Sequence, residues 1–280
     1  MTRARSAVVA ALAVAVVAAL SVAAGIAADR GPEGVKIPPT ALLPDLDPSA
    51  PIRLEARIAT VDGKRRTRMS FASAAENVGA GPLVIRGVRT SIDQELMTAE
   101  QVIRLPGGST VAKPQVGTVR YIVDPTHQHW HLEPFMIYEL RREKGFALVR
   151  PDEKTGFCLG DRYPFDADRV PVPVERPEFL TNCGLGDTGL LNVEEGISPG
   201  YGDDYHPWLD GQWIDITGLR AGRYVLVHRV NKARLLAESS YANNASSLLV
   251  ALSWPTGKQG LPKFTVLRTC PNKARCTKPR

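Results

Sequence analysis

The 280-residue chain contains five histidines, and three of them, His127, His129 and His131, fall at alternate positions within five residues. In an extended strand, alternate side chains leave the same face, about 6.5–7 Å apart at Cα. A modest bend at the strand end then lets three imidazoles converge on one ion. Pro125, just upstream, favours an irregular or edge entry because it cannot donate to a ladder. Imidazole nitrogens suit copper, zinc, iron or nickel, and three of them leave room for water or substrate. Glu133 lies two residues on with the same parity, where a zinc hydrolase would place its general base. The spacing supports a metal without choosing one.

The elements that must hold these residues read as strands. Residues 52–58 (IRLEARI) and 68–72 alternate apolar and polar, as half-buried strands do. A turn at 77–82 precedes a strand at 83–85, and residues 89–100 read as a short helix or an irregular excursion. Residues 118–123 (TVRYIV) form the strand that delivers the histidines. Residues 135–140 and 146–149 form a hairpin through Lys144-Gly145. Residues 150–210 are rich in Pro, Gly, Asp and Asn and weak in periodicity, a loop length that inside a compact domain is usually functional or stapled. Pattern resumes at 212–216, 223–230 and 245–254. Short strands, turn signals, 22 prolines and 24 glycines predict an all-β, antiparallel β-sandwich whose long loop-rich excursion carries the active site. Residues 52–255 form this single domain, 29–51 a linker that becomes an ordered N-terminal arm, and 256–280 a polar tail, loose except where Cys270 and Cys276 close it.

Residues 1–28 stand apart. Arg3 and Arg5 precede an uncharged Ala/Val-rich run over 6–28 that ends in the small residues Gly25, Ala27 and Ala28, which predicts a cleaved signal peptide. The run is also long enough to serve as an uncleaved membrane anchor. Either way the rest of the chain is exported. Beyond this segment 33 basic residues stand against 29 acidic ones, a net +4. The basic residues are scattered, with no interleaved aromatics of the kind a nucleic-acid platform needs. The four cysteines, an even number, suit an oxidising compartment. Of three possible connectivities, Cys158–Cys183 and Cys270–Cys276 close the shortest loops.

Six features appear in order along the chain: His-Gln-His-Trp-His (127–131), Lys-Thr-Gly-Phe-Cys-Leu-Gly-Asp (154–161), Ser-Pro-Gly-Tyr-Gly-Asp-Asp-Tyr (198–205), Gln-Trp-Ile-Asp-Ile-Thr (212–217), Gly-Arg-Tyr-Val-Leu (222–226) and Glu-Ser-Ser-Tyr-Ala-Asn-Asn (238–244). Together, over about residues 115–250, they resemble the catalytic domain of the lysyl oxidase family, in an exported bacterial member. The resemblance implies that His127, His129 and His131 bind copper. It also implies a lysine tyrosylquinone made from Lys154 and Tyr205. Such a group requires a phenol ring open to oxidation by O2 and a lysine amine made nucleophilic by a depressed pKa. The implied reaction is oxidative deamination of a primary amine, such as a lysine ε-amine, to an aldehyde, with release of ammonia and hydrogen peroxide. The alternative is a non-catalytic copper-binding extracellular module.

The resemblance further implies a calcium site gathering Asp45, Leu46, Glu238, Asn243 and Asn244, although Ser240 stands where the family usually has Asp. Cys158 and Cys183 match a family pair. Asp203 and Asp204 read as solvated turn acids and only weakly as a base. His228 reads as structural, and residues 162–195 do not follow the family's animal members.

Overall fold

The structure, a computed structural model, describes residues 35–124, 128–152, 154, 156–180 and 182–277. Its longest strand, β3 (Lys64–Asn77), serves two sets of partners. The first half pairs with β2 (Ile52–Val61) and β13 (Trp213–Asp215); the second half pairs with β1 (Leu46–Pro48) and β12 (Tyr201–Tyr205), which in turn carries β10 (Tyr163–Pro164). A second sheet runs β11 (Asn192–Ile197), β4 (Leu83–Val88), β5 (Leu96–Arg104), β6 (Thr110–Tyr121) and β7 (Trp130–Glu133). The third runs β16 (Lys263–Cys270), β15 (Ala245–Ser253), β14 (Gly222–Val230), β8 (Met136–Arg142) and β9 (Leu148–Pro151). Every ladder is antiparallel. The only helical turn among the described residues is a 3-10 turn at Ala167–Arg169. The chain is therefore an all-β antiparallel sandwich, as its patterning predicts.

Burial explains which runs become interior strands. In β14, Tyr224, Leu226 and Val230 enter the main core while Val225 and Val227 enter a smaller one with Leu249 and the Cys270–Cys276 pair. A strand covered on both faces reads as a continuous apolar run. Between the sheets lie Phe71, Trp130, Phe135, Tyr138 and Phe157, all within 2% of full burial. Tyr138 keeps its hydroxyl satisfied inside this core, bonding Ser73 Oγ at 2.5 Å and Gln212 Nε2 at 3.2 Å.

Three expectations are corrected. Residues 96–100 are the start of β5, not helix, and Met97 and Ala99 point into the core on alternate positions. The excursion after β9 ends in two strands, β11 and β12, whose Gly and Asp residues mask their alternation. The tail is not loose: β16 extends the third sheet, and its charged side chains face outward from an edge position, where charge protects an unpaired edge.

Both expected disulfides are present, Cys158–Cys183 and Cys270–Cys276. Residues 6–28 lie outside the described residues, and no helix among those described is long and apolar enough to cross a membrane.

Candidate metal and cofactor site

β7, at the edge of the second sheet, carries His131, and His129 lies just before its start. Register with β6 sets Arg120 opposite His131 and Tyr121 opposite Trp130. The Trp130 ring is anchored inward, its Nε1–H donating to Asp187 O at 3.0 Å, so the residues on either side of it turn the other way. His129 and His131 accordingly meet, with Nε2 atoms 2.8 Å apart and His131 only 2% exposed. Two ligand atoms each about 2.0 Å from one ion and at right angles to each other stand about 2.8 Å apart, as in tetragonal nitrogen sites. The donor chemistry and this separation fit a copper-type ion. His127 lies outside the described residues. Glu133 is engaged by Arg120, with Nε to Oε2 at 3.4 Å.

The segment carrying Lys154 is brought alongside β7 by a bridge between Leu132 and Phe157, with N–H···O bonds of 2.9 and 3.1 Å. Gly156 makes that approach possible. Its φ is +72°, and a Cβ there would lie 2.7 Å from Leu132 O and 2.9 Å from His131 Cβ. Full burial of the Phe157 ring adds about 2–3 kcal/mol, against about 1 kcal/mol for each bridge bond. The ring therefore holds the segment at least as firmly as the bridge does. The disulfide partner Cys183 closes the other side, its carbonyl accepting from Trp130 N at 2.9 Å.

β12 supplies Tyr205, which register places opposite Ser73 of β3. Its ring meets Phe157 edge to face at 4.8 Å between centroids. Lys154 Nζ stands 5.3 Å from the Tyr205 ring centroid and 5.1 Å from that of Phe157, and donates to Asp210 O at 3.1 Å. The fold thus brings Lys154 close to Tyr205, 51 positions away on β12, and the segment carrying Lys154 also abuts β7. Burial pulls the Lys154 ammonium down to about 8, against the opposing pull of nearby carboxylates led by Asp210 and Asp203. Burial and the adjacent Asp203 push the Tyr205 phenol well above its usual range.

Asp203 differs most from its reading as a solvated acid. It is 1% exposed, and Tyr205 Oη lies 2.7 Å from its Oδ2 and 2.8 Å from Cys158 O. Alternation along β12 points Tyr201, Asp203 and Tyr205 inward together. Burial raises the Asp203 carboxyl to about 7 despite Arg162 Nε at 3.5 Å. Asp204 faces outward beside His206, 3.6 Å away, and His206 stacks on Trp208. His228 is fully buried between Ser49 O and Met136 Sδ, and burial lowers its pKa to about 4. It is structural.

A second acid was not legible at all. Glu195 is fully buried and accepts from Leu159 N at 2.7 Å, and burial pushes its carboxyl well above the usual range. It groups with Cys158 and Cys183, but their sulfurs are joined to each other and offer no thiolate.

The calcium candidates also converge. Asp45 Oδ1 accepts from Asn243 Nδ2 at 2.7 Å, Leu46 N donates to Glu238 Oε2 at 2.8 Å, and Asn244 Nδ2 donates to Glu238 Oε1 at 2.6 Å. The amide oxygens of Asn243 and Asn244 are buried without a hydrogen-bond partner. Orphaned carbonyl oxygens beside carboxylates fit a hard cation.

The family model described as lysyl oxidase matches residues 88–253. Protein-lysine 6-oxidase of Gallus gallus is 33% identical over 122 residues, which is 42% of this chain and 24% of the relative. The Sus scrofa protein of the same name is 33% identical over 122 residues, 42% of this chain and 41% of the relative. Lysyl oxidase homolog 4 of Homo sapiens is 30% identical over 138 residues, 49% of this chain and 16% of the relative. In each case the match spans less than half the length of the curated relative.

Proposed function

The chain belongs to the lysyl oxidase family, and from that premise we propose that it is an exported, copper-dependent amine oxidase. The reaction is RCH2NH2 + O2 + H2O → RCHO + NH3 + H2O2, with a lysine ε-amine or similar primary amine as substrate. His127, His129 and His131 would hold copper, and Lys154 and Tyr205 would be joined as the quinone. Together these groups supply a redox centre and a carbonyl electrophile.

The chain's own residues prepare that chemistry. Burial of Lys154 keeps a substantial fraction of its amine neutral near pH 8, the form able to add to a ring. Asp203 and the Cys158 carbonyl fix the Tyr205 oxygen. Asp203, with a pKa of about 7, is placed to accept or return a proton at that oxygen. A general acid–base group works best with a pKa near the working pH. We further propose that Asp45, the Leu46 backbone, Glu238, Asn243 and Asn244 hold calcium and so tie the N-terminal arm to the loop before β15.

The observation that carries the main reading is the Lys154 Nζ seated 5.3 Å from the Tyr205 ring centroid. The test is peptide mass spectrometry of copper-loaded, aerated protein. A single species joining the peptides that contain Lys154 and Tyr205 is expected. Both peptides unmodified, in protein that binds copper, would overturn the oxidase reading in favour of a non-catalytic copper-binding module.

A further inference from the structure

A cavity of about 350 Å3, within the size range of small-molecule sites, is lined by Asp210, the residue whose carbonyl accepts from Lys154 Nζ. Its floor is one face of the β2–β3–β13 sheet, where register sets Arg57 opposite Arg68, Arg68 opposite Asp215, and Ser70 opposite Trp213. Its wall includes Trp208, Asp210 and Asp124. Asp210 is shared with the proposed cofactor residue, since its carbonyl accepts from Lys154 Nζ. Both Asp210 and Asp124 also act electrostatically on that ammonium.

Charges on the floor pair off with one exception. Arg57 meets Glu55 at 2.7 Å, and Arg66 meets Asp215 at 3.5 Å. Asp215 is further committed to Thr217 N at 2.7 Å. Arg68 has no carboxylate partner among the described residues. Its guanidinium stacks on Trp213, 3.6 Å from the ring centroid, and its Nε is buried without a hydrogen-bond partner. It also lines a smaller adjoining cavity of about 170 Å3 with Trp213 and Asp215. Stacking fixes the plane of a guanidinium, and a fixed planar fork is the group suited to bidentate carboxylate recognition.

We propose that Arg68 is a specificity residue that binds the carboxylate of the substrate, so that the enzyme acts on primary amines carrying a carboxylate at the far end of an aliphatic chain. Asp210, at the Lys154 end, receives the ammonium, and the guanidinium of Arg68 at the floor receives the anion. This inference rests on the amine oxidase reading for its turnover but not for its binding.

The test compares ε-aminocaproate with n-hexylamine, which share a six-carbon chain and differ in the carboxylate. Calorimetric titration of the copper-loaded full chain under nitrogen should show ε-aminocaproate bound at least about tenfold more tightly. Arg68→Gln should bring the two affinities within about threefold, and Arg68→Lys, which keeps the charge but not the fork, should give an intermediate ratio. In air, the ratio of kcat/KM for the two amines should fall at least about tenfold in Arg68→Gln. Equal binding of both compounds by the unaltered chain, or a preference unchanged in both variants, overturns the proposal. The unaltered chain decides even where Arg68→Gln fails to fold. Arg68-dependent binding without peroxide from either amine leaves the subsite standing and removes the oxidase reading. Peroxide from both amines with equal efficiency does the reverse.

Discussion

Asp203 and Tyr205 form a buried acid–phenol pair, and the pH dependence of that pair has a definite sign. The carboxyl titrates at about 7 in the folded chain against a reference of 3.8, so the folded state holds its proton more tightly. Its contribution to stability is complete below about pH 4 and is lost as pH rises through about 7. Asp203→Asn keeps a hydrogen-bonding side chain but removes the titration. The variant should gain stability relative to the unaltered chain between pH 4 and 7, by on the order of 2–4 kcal/mol at pH 8. Urea unfolding of both proteins across that range checks it; a difference independent of pH would refute it. Nothing in the residues 203–205 signalled this pair beyond the adjacency of two acids to a tyrosine. Which acid turns inward is decided by the pairing of β12 with β3, a contact between segments over a hundred residues apart.

Among the elements, the segment 156–159 runs close against β7. Gly156→Ala places a side chain in a left-handed conformation, at about 1–2 kcal/mol, and drives a methyl into the Leu132 carbonyl and the Glu133 Cγ at 2.8 Å. A total loss of about 2–4 kcal/mol is expected in denaturant unfolding, with reduced yield of the Lys154–Tyr205 joined peptide. Stability within 0.5 kcal/mol of the unaltered chain would count against the packing described. Elements with clean period-two alternation, such as β2 and β3, were legible from sequence. The strand β5 was not, because Thr98 and Glu100 sit among apolar residues without a turn signal at its start. In β16, Lys263, Arg268 and the nearby Pro271 disguise a strand that buries almost nothing but Cys270. The pairing of His129 with His131 was legible because its parity is chemical as well as hydrophobic; the meeting of Lys154 with Tyr205 was reached only through resemblance.

For the whole molecule, the two disulfides have unequal duties. Cys158–Cys183 spans 25 positions and Cys270–Cys276 only 6. Chain entropy gives about 3.5 kcal/mol for the first loop and about 2 kcal/mol for the second. Cys183→Ser with Cys158→Ser should therefore destabilise the protein more than the corresponding double change at 270 and 276, and it alone should lower copper affinity. Calorimetric melting and copper titration of the two double variants test this; equal effects on copper would show that the long loop does not support the site. The sandwich class was legible in strand length and turn composition, whereas the three-sheet arrangement around β3 depends on long-range registers that no local pattern encodes. The Cys158–Cys183 bond also sets where this polypeptide is able to mature. Made in a reducing cytoplasm, with glutathione holding both thiols apart, the lysine-bearing strip would keep the Leu132–Phe157 bridge but lose its covalent link to the segment at Cys183. Under the proposed function, passage into an oxidising setting becomes a step in assembling the centre, and a bacterial overproduction host that retains the chain inside is expected to yield protein without the Lys154–Tyr205 link.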